Sequence, residues 1–120
     1  MGSGCRHEVD IAHIEGRGHH RHLWDYLSKR LFLTPDCIRK VLSALLGEEA
    51  ARNAVTFGEN VYGGRYVVCI GVGSVGRWVG VRLVVEKTER CLRTRSAYPD
   101  PGCEPAYCVV VSDLCGVNLR

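Results

Sequence analysis

Two groups of residues in this chain have the types and spacing to do acid/base chemistry on a phosphodiester. One is the histidine cluster His19, His20 and His22, and the other is the run Arg93-Thr94-Arg95-Ser96-Ala97-Tyr98-Pro99. Metal-free RNA cleavage needs a base for the 2′-hydroxyl proton, an acid for the 5′-oxygen leaving group and cationic donors for the phosphorane charge. Imidazoles that titrate near neutrality supply the first two. For the third, Arg93 or Arg95 can hold the phosphate while Thr94 or Ser96 donates a hydrogen bond to it. Tyr98 offers a ring for stacking or a weak acid. Arg17 and Arg21 beside the histidines, with Arg77 and Arg82 further along, extend the basic surface.

If residues 93–99 form a strand, alternation puts Thr94, Ser96 and Tyr98 on one face and Arg93 and Arg95 on the other. The expectation is that the hydroxyl face, with Tyr98, looks into a cleft. His20 and His22 are two apart and do not share a helix face, so at most one or two of the three histidines should act. The same residues also have plainer roles. A histidine-rich turn can be a solvated helix entrance, arginines on a strand can be an exposed sheet face, and Tyr98 before Pro99 can simply close an extended segment.

The positioning elements are legible from periodicity. Leu23, Leu27 and Leu31 fall at helical spacing, predicting a first helix over 23–33 that the histidines precede. Thr34-Pro35-Asp36 is a hydroxyl cap with proline at the first helical position, and Ile38, Val41, Leu42 and Leu45 form the stripe of a second helix ending at Gly47. A short third helix is expected over 48–55. After Gly63-Gly64 the composition turns β-branched and aromatic, and 66–70, 78–85, 91–98 and 107–111 read as four strands with short connections. The fold class expected is therefore α+β, with N-terminal helices packed on a C-terminal antiparallel sheet of about four strands.

With 120 residues the chain has room for one domain, assigned to 13–120. Residues 1–12 read as a vector remnant or flexible N-terminus, because Met1-Gly2-Ser3-Gly4 and the Ile14-Glu15-Gly16-Arg17 tetrapeptide resemble expression-tag sequence. No apolar run approaches the roughly 20 residues a bilayer demands, so no membrane is expected. The formal charge of +3 is mild, but only Lys29, Lys40 and Lys87 are lysines. Arginine forks match phosphate oxygens and stack on bases, which favours an RNA or other polyanionic partner. The seven cysteines are an odd number and lack Cys-x-x-Cys spacing, so no metal or other cofactor is expected. Cys37 and Cys69 read as buried small hydrophobes. Cys91, Cys103, Cys108 and Cys115 leave open both a disulfide and a site with Cys5 or His7.

Gly71-Val72-Gly73-Ser74-Val75-Gly76 is a literal G-x-G-x-x-G after an apolar strand. A dinucleotide site needs a helix next, whereas Arg77 to Val85 is rich in valine and carries Trp78 and Gly80. The run reads as a glycine-rich hairpin, with a nucleotide-binding fragment as the lesser alternative.

The order of a His-His-Arg-His stretch, a helix opening Thr-Pro-Asp, a hairpin, and the strand Leu92-Arg93-Thr94-Arg95-Ser96-Ala97-Tyr98-Pro99 resembles C-terminal toxin domains of bacterial polymorphic and contact-dependent inhibition systems. The likeness is to ribonucleases of the barnase–EndoU–colicin–RelE type and to bacterial RNase A-like toxins, over roughly residues 13–101. The resemblance implies that a histidine among 19, 20 and 22 is the general base or acid, that Ser96 or Thr94 is the motif hydroxyl, and that Tyr98 is the motif tyrosine. It further implies an RNA substrate, commonly tRNA, cleaved to a 2′,3′-cyclic phosphate without metal. A monomeric effector, secreted or delivered to act in the target-cell cytoplasm and blocked by a cognate immunity protein, would follow. The reading from a different class is a non-catalytic RNA- or protein-binding module.

Overall fold

The computed structural model describes residues 5–74 and 76–116, and residues 1–4, 75 and 117–120 lie outside the described residues. The chain begins with β1 (His7–Val9) and continues through α1 (Ile11–Gly16), α2 (His19–Leu31), α3 (Pro35–Leu45) and α4 (Glu48–Phe57). Then come β2 (Glu59–Tyr62), β3 (Arg65–Ser74), β4 (Arg77–Lys87), β5 (Leu92–Pro99), β6 (Tyr107–Val110) and α5 (Val111–Cys115).

Each long helix buries one stripe. Leu23, Leu27 and Leu31 stack one turn apart on α2, while Cys37, Ile38, Val41, Leu42 and Leu45 line α3. The α3 start has the expected chemistry: the Thr34 side chain accepts from the Cys37 backbone N–H at 3.3 Å, ahead of Pro35. On α4 the buried residues are alanines, which let the helix lie close to the sheet. These stripes meet Val68, Ile70 and Val72 of β3, Val81, Leu83 and Val85 of β4, and Ala97 of β5 in one core.

The fold is α+β as expected, but the sheet differs from the antiparallel, four-stranded one the sequence implies. It is mixed and six-stranded, ordered β1-β5-β4-β3-β2, with β6 also on β3. The β2–β3, β3–β4 and β4–β5 pairs are antiparallel, and β1–β5 and β3–β6 are parallel. β2 takes the first half of the β3 edge and β6 the second, at Ile70–Gly73. The parallel pairs arise because short strands reach the sheet by long-range connections rather than hairpins. After β5 the chain must cross β4 and β3 to reach its place. It does so over the face opposite the helices, where Gly71 and Gly80 are cross-strand partners. A Cβ at Gly80 would lie 2.3 Å from the Asp100 carbonyl oxygen, and one at Gly71 would lie 3.1 Å from Pro105 Cγ. The paired glycines make the bed for the crossover.

The glycine run therefore serves a hairpin and a crossover. β3 continues through Ser74 and passes directly into antiparallel β4, so the run has no following helix whose N-terminus could receive a pyrophosphate.

Two further expectations are corrected. Residues 5–12, set apart from the domain in the sequence reading, belong to it: His7–Val9 pair with Leu92–Thr94, and Ile14 of the tag-like tetrapeptide is buried in α1. Cys37 and Cys69 are buried, but as halves of disulfides, Cys37–Cys115 between α3 and α5 and Cys69–Cys103 between β3 and the crossover. A third bridge, Cys5–Cys91, ties the N-terminal segment to the start of β5. Cys108 is free and exposed. Among the described residues no helix is long and apolar enough to cross a membrane.

Candidate functional site

The C-terminal motif strand does not alternate throughout. Val84 of β4 pairs with Ser96, but Val85 pairs with Thr94, so Arg95 is the extra residue of a β-bulge. The bulge inverts the phase, and Thr94, Ser96 and Tyr98 do not share a face as expected. Thr94 stands opposite core Val85 and is fully buried, whereas Ser96 and Tyr98 stand opposite Val84 and Arg82 on the crossover side. The Thr94 hydroxyl is 2.9 Å from His7 Nε2. Ser96 is 8% exposed.

Tyr98 meets a histidine. α2 begins at His19, so the three clustered histidines occupy its first turn rather than preceding it, after Gly18 in a left-handed conformation (φ 70°). The His19 ring lies 5.6 Å from the Tyr98 ring between centroids, and His13 of α1 lies 5.9 Å from His19 in an edge-on arrangement. Partial burial holds the His19 pKa below its ordinary value, and the positive neighbours His13, Arg17 and His22 push it the same way. His20 projects from the other flank of α2, its ring 6.3 Å from Trp24. His22 is exposed and lies over Gly18. His19 alone of the three meets the Ser96/Tyr98 strand.

The arginines expected to grip phosphate are mostly engaged by carboxylates. Arg93 faces Glu8 at 3.4 Å and Asp10 at 3.8 Å. Arg95 faces Asp10 at 3.3 Å and Glu86 at 3.6 Å. Arg82 pairs with Asp100 at 3.0 Å. These pairs brace β1, β4, β5 and the crossover against one another, a use that the sequence could not disclose because the carboxylates come from distant elements. Arg77 is exposed with its guanidinium 5.8 Å from the Phe32 ring centroid. Arg17 and Arg21 are exposed and have no ion-pair partner among the described residues; of the two, Arg17 acts on His19, while Arg21, two positions along α2, projects from a different face of the helix.

His13 and Asp10 were not singled out by sequence reasoning, and His7 was named only as a possible partner of the cysteines. His13 sits six positions before His19 and could have been counted with the cluster. His7 and Asp10 gain their meaning only from the pairing of β1 with β5. Cys5, Cys91 and Glu8 bring two sulfurs and a carboxylate oxygen within 4.8 Å, but the sulfurs are bonded to each other and offer no thiolate to a metal.

A groove of about 590 Å³ opens on the other side of α2, lined by Val9, Ile11, His20, Trp24, Arg39, Leu42, Ser43 and Leu46. A second of about 440 Å³ lies between α4 and β6, with Glu48, Glu49, Asn53, Tyr107 and Asp113 among its walls.

Comparison with models of protein families, with curated proteins and with solved structures finds no match to this chain.

Proposed function

We propose that this chain is a metal-independent endoribonuclease that cleaves RNA by attack of the 2′-hydroxyl on the adjacent phosphorus, leaving a 2′,3′-cyclic phosphate and a free 5′-hydroxyl. The observation that carries the reading is the contact between His19 and Tyr98. It joins the histidine cluster to the motif strand, which are 79 positions apart in sequence. A pKa held low by burial and positive neighbours keeps His19 neutral at physiological pH, as a proton acceptor must be. His19 then takes the 2′-hydroxyl proton. The Tyr98 phenol donates a hydrogen bond to the phosphorane, and His13 is the imidazole near enough to return a proton to the 5′-oxygen. Arg17, the guanidinium that acts on His19, faces the developing charge. Arg93, Arg95 and Arg82 hold the strand in place rather than the phosphate.

The wider reading is that of a delivered toxin domain acting on RNA, tRNA among the candidates, in a target cell, and held inactive by a cognate immunity protein. It rests on the sequence resemblance, and the three disulfides suit a chain that crosses an oxidising space. The test is incubation of the oxidised protein with total tRNA and rRNA in EDTA, with end-group analysis of the products. Cyclic phosphate ends that disappear with His19→Ala are expected. Intact RNA with the wild-type protein overturns the reading, and salt-dependent binding without cleavage would leave a non-catalytic RNA-binding module.

A further inference from the structure

We infer that the groove around Trp24 is a nucleobase subsite for single-stranded RNA, flanking the His19–Tyr98 pair; the inference rests on the ribonuclease reading and deepens it. The groove has the volume of a small-ligand site, about 590 Å³, and an apolar floor from Val9, Ile11, Leu42 and Leu46. Its wall is aromatic and cationic. Trp24 is only partly buried, with the Arg39 guanidinium 5.6 Å from its ring centroid and the His20 ring at 6.3 Å. A flat, hydrophobic ring with a guanidinium over one face and an imidazole beside it matches a base attached to an anionic backbone, since the base stacks on the open part of the indole while phosphate meets the guanidinium. Asp36 pairs with Arg39 at 2.9 Å, but its side chain is 90% exposed and sits on the solvent side of the rim. Ser43 adds a hydroxyl for the base edge.

The position matters as much as the lining. His19 and His20 are adjacent in sequence and point roughly 100° apart around α2. One reaches Tyr98 and the other reaches Trp24. A strand of RNA crossing the first turn of α2 can seat one base at Trp24 while an adjoining phosphate lies at His19. Double-stranded RNA cannot do so, because its bases are stacked and paired within the helix.

The test uses the oxidised full chain with Trp78→Phe, so that Trp24 is the only indole, and a 2′-O-methyl hexauridylate that cannot be cleaved because the attacking hydroxyl is blocked. Quenching of Trp24 on binding is expected. Trp24→Leu, which keeps apolar bulk, should weaken binding about tenfold, as loss of one stacked base does. Arg39→Gln should weaken it severalfold with an unchanged melting temperature. Unquenched Trp24 emission overturns the subsite, as does equal affinity for the hexamer with and without the indole. Because the probe is inert, failure of catalysis does not bear on this result. A protein that binds the hexamer at Trp24 yet cleaves no RNA sustains the subsite and overturns the catalytic reading, and one that cleaves RNA with Trp24 unquenched overturns the subsite alone.

Discussion

His7 Nε2 lies 2.9 Å from the Thr94 hydroxyl, so a buried polar group on β5 finds its partner on a strand 87 positions earlier. The same pairing carries Glu8 to Arg93, and Asp10, just beyond β1, lies within ion-pair distance of both Arg93 and Arg95. The N-terminal segment is thus a clamp on the bulged strand that bears Ser96 and Tyr98.

Removing the His7 ring should strand the Thr94 hydroxyl. His7→Ala is expected to cost about 1–3 kcal/mol in urea unfolding, and His7→Ala with Thr94→Val should recover part of it, because the unpaired group is then gone. The pH dependence has a definite sign. Burial lowers the folded-state pKa of His7 below 6.5, with Glu48 and Glu8 opposing, so the unfolded chain binds the proton more readily. The wild type should lose stability as pH falls from about 6.5 to the folded pKa and level off below it. A stability curve flat over that range in wild type and indistinguishable from His7→Ala would refute this.

Catalysis should follow the neutral form of His19. The acid limb of the kcat/KM profile is expected to have its midpoint below 6.5, since burial and the cationic neighbours lower that pKa, within a bell-shaped profile because a proton donor is also required. His19→Ala should reduce kcat by roughly 10²–10⁴. His13→Ala removes one of the groups lowering the His19 pKa, so the midpoint of whatever activity remains should move to higher pH. A shift to lower pH would contradict the assigned roles.

The disulfides should matter unequally for reactivity and together for stability. Cys108 is expected to alkylate in the native, unreduced protein, giving one modified thiol per chain by mass spectrometry. Replacing Cys37 and Cys115 with alanine opens a link that spans 78 positions and should cost about 2–5 kcal/mol. Modification of a second cysteine without reductant would contradict the pairing.

Gly80 should tolerate no side chain. A Cβ there meets the Asp100 carbonyl oxygen at 2.3 Å and Cys103 Sγ at 2.9 Å, so Gly80→Ala must displace the crossover and should destabilise toward the upper end of the roughly 0.5–3 kcal/mol range. Gly16→Ala is the control: nothing lies within 4 Å, and a change of under about 1 kcal/mol in the stabilising direction is expected. Comparable melting temperatures for the two variants would show that the glycine bed is not needed.

What the sequence by itself determined lies in local and periodic order. The stripe of Leu23, Leu27 and Leu31, the Thr34-Pro35 cap, the β-branched and aromatic run at 66–70 that lies within β3, and the hairpin at the glycine run all depend on residues a few positions apart. Propensity, capping and amphipathic spacing act at that range. Tertiary structure alone decided the rest. The strand expected over 107–111 is present as Tyr107–Val110, but its parallel pairing was not legible, and His7–Val9 is too short to announce itself; both pairings exist because edges of β3 and β5 were open to them. The bulge at Arg95 leaves no mark in the alternating sequence, yet it turned Thr94 into the core and away from Ser96 and Tyr98. The arginines of the motif strand looked free because their carboxylates, Glu8, Asp10 and Glu86, come from other strands and their flanks. Which histidine meets Tyr98 was settled by where α1 and α2 pack beside β5, a matter of long-range burial that no spacing within residues 19–22 encodes.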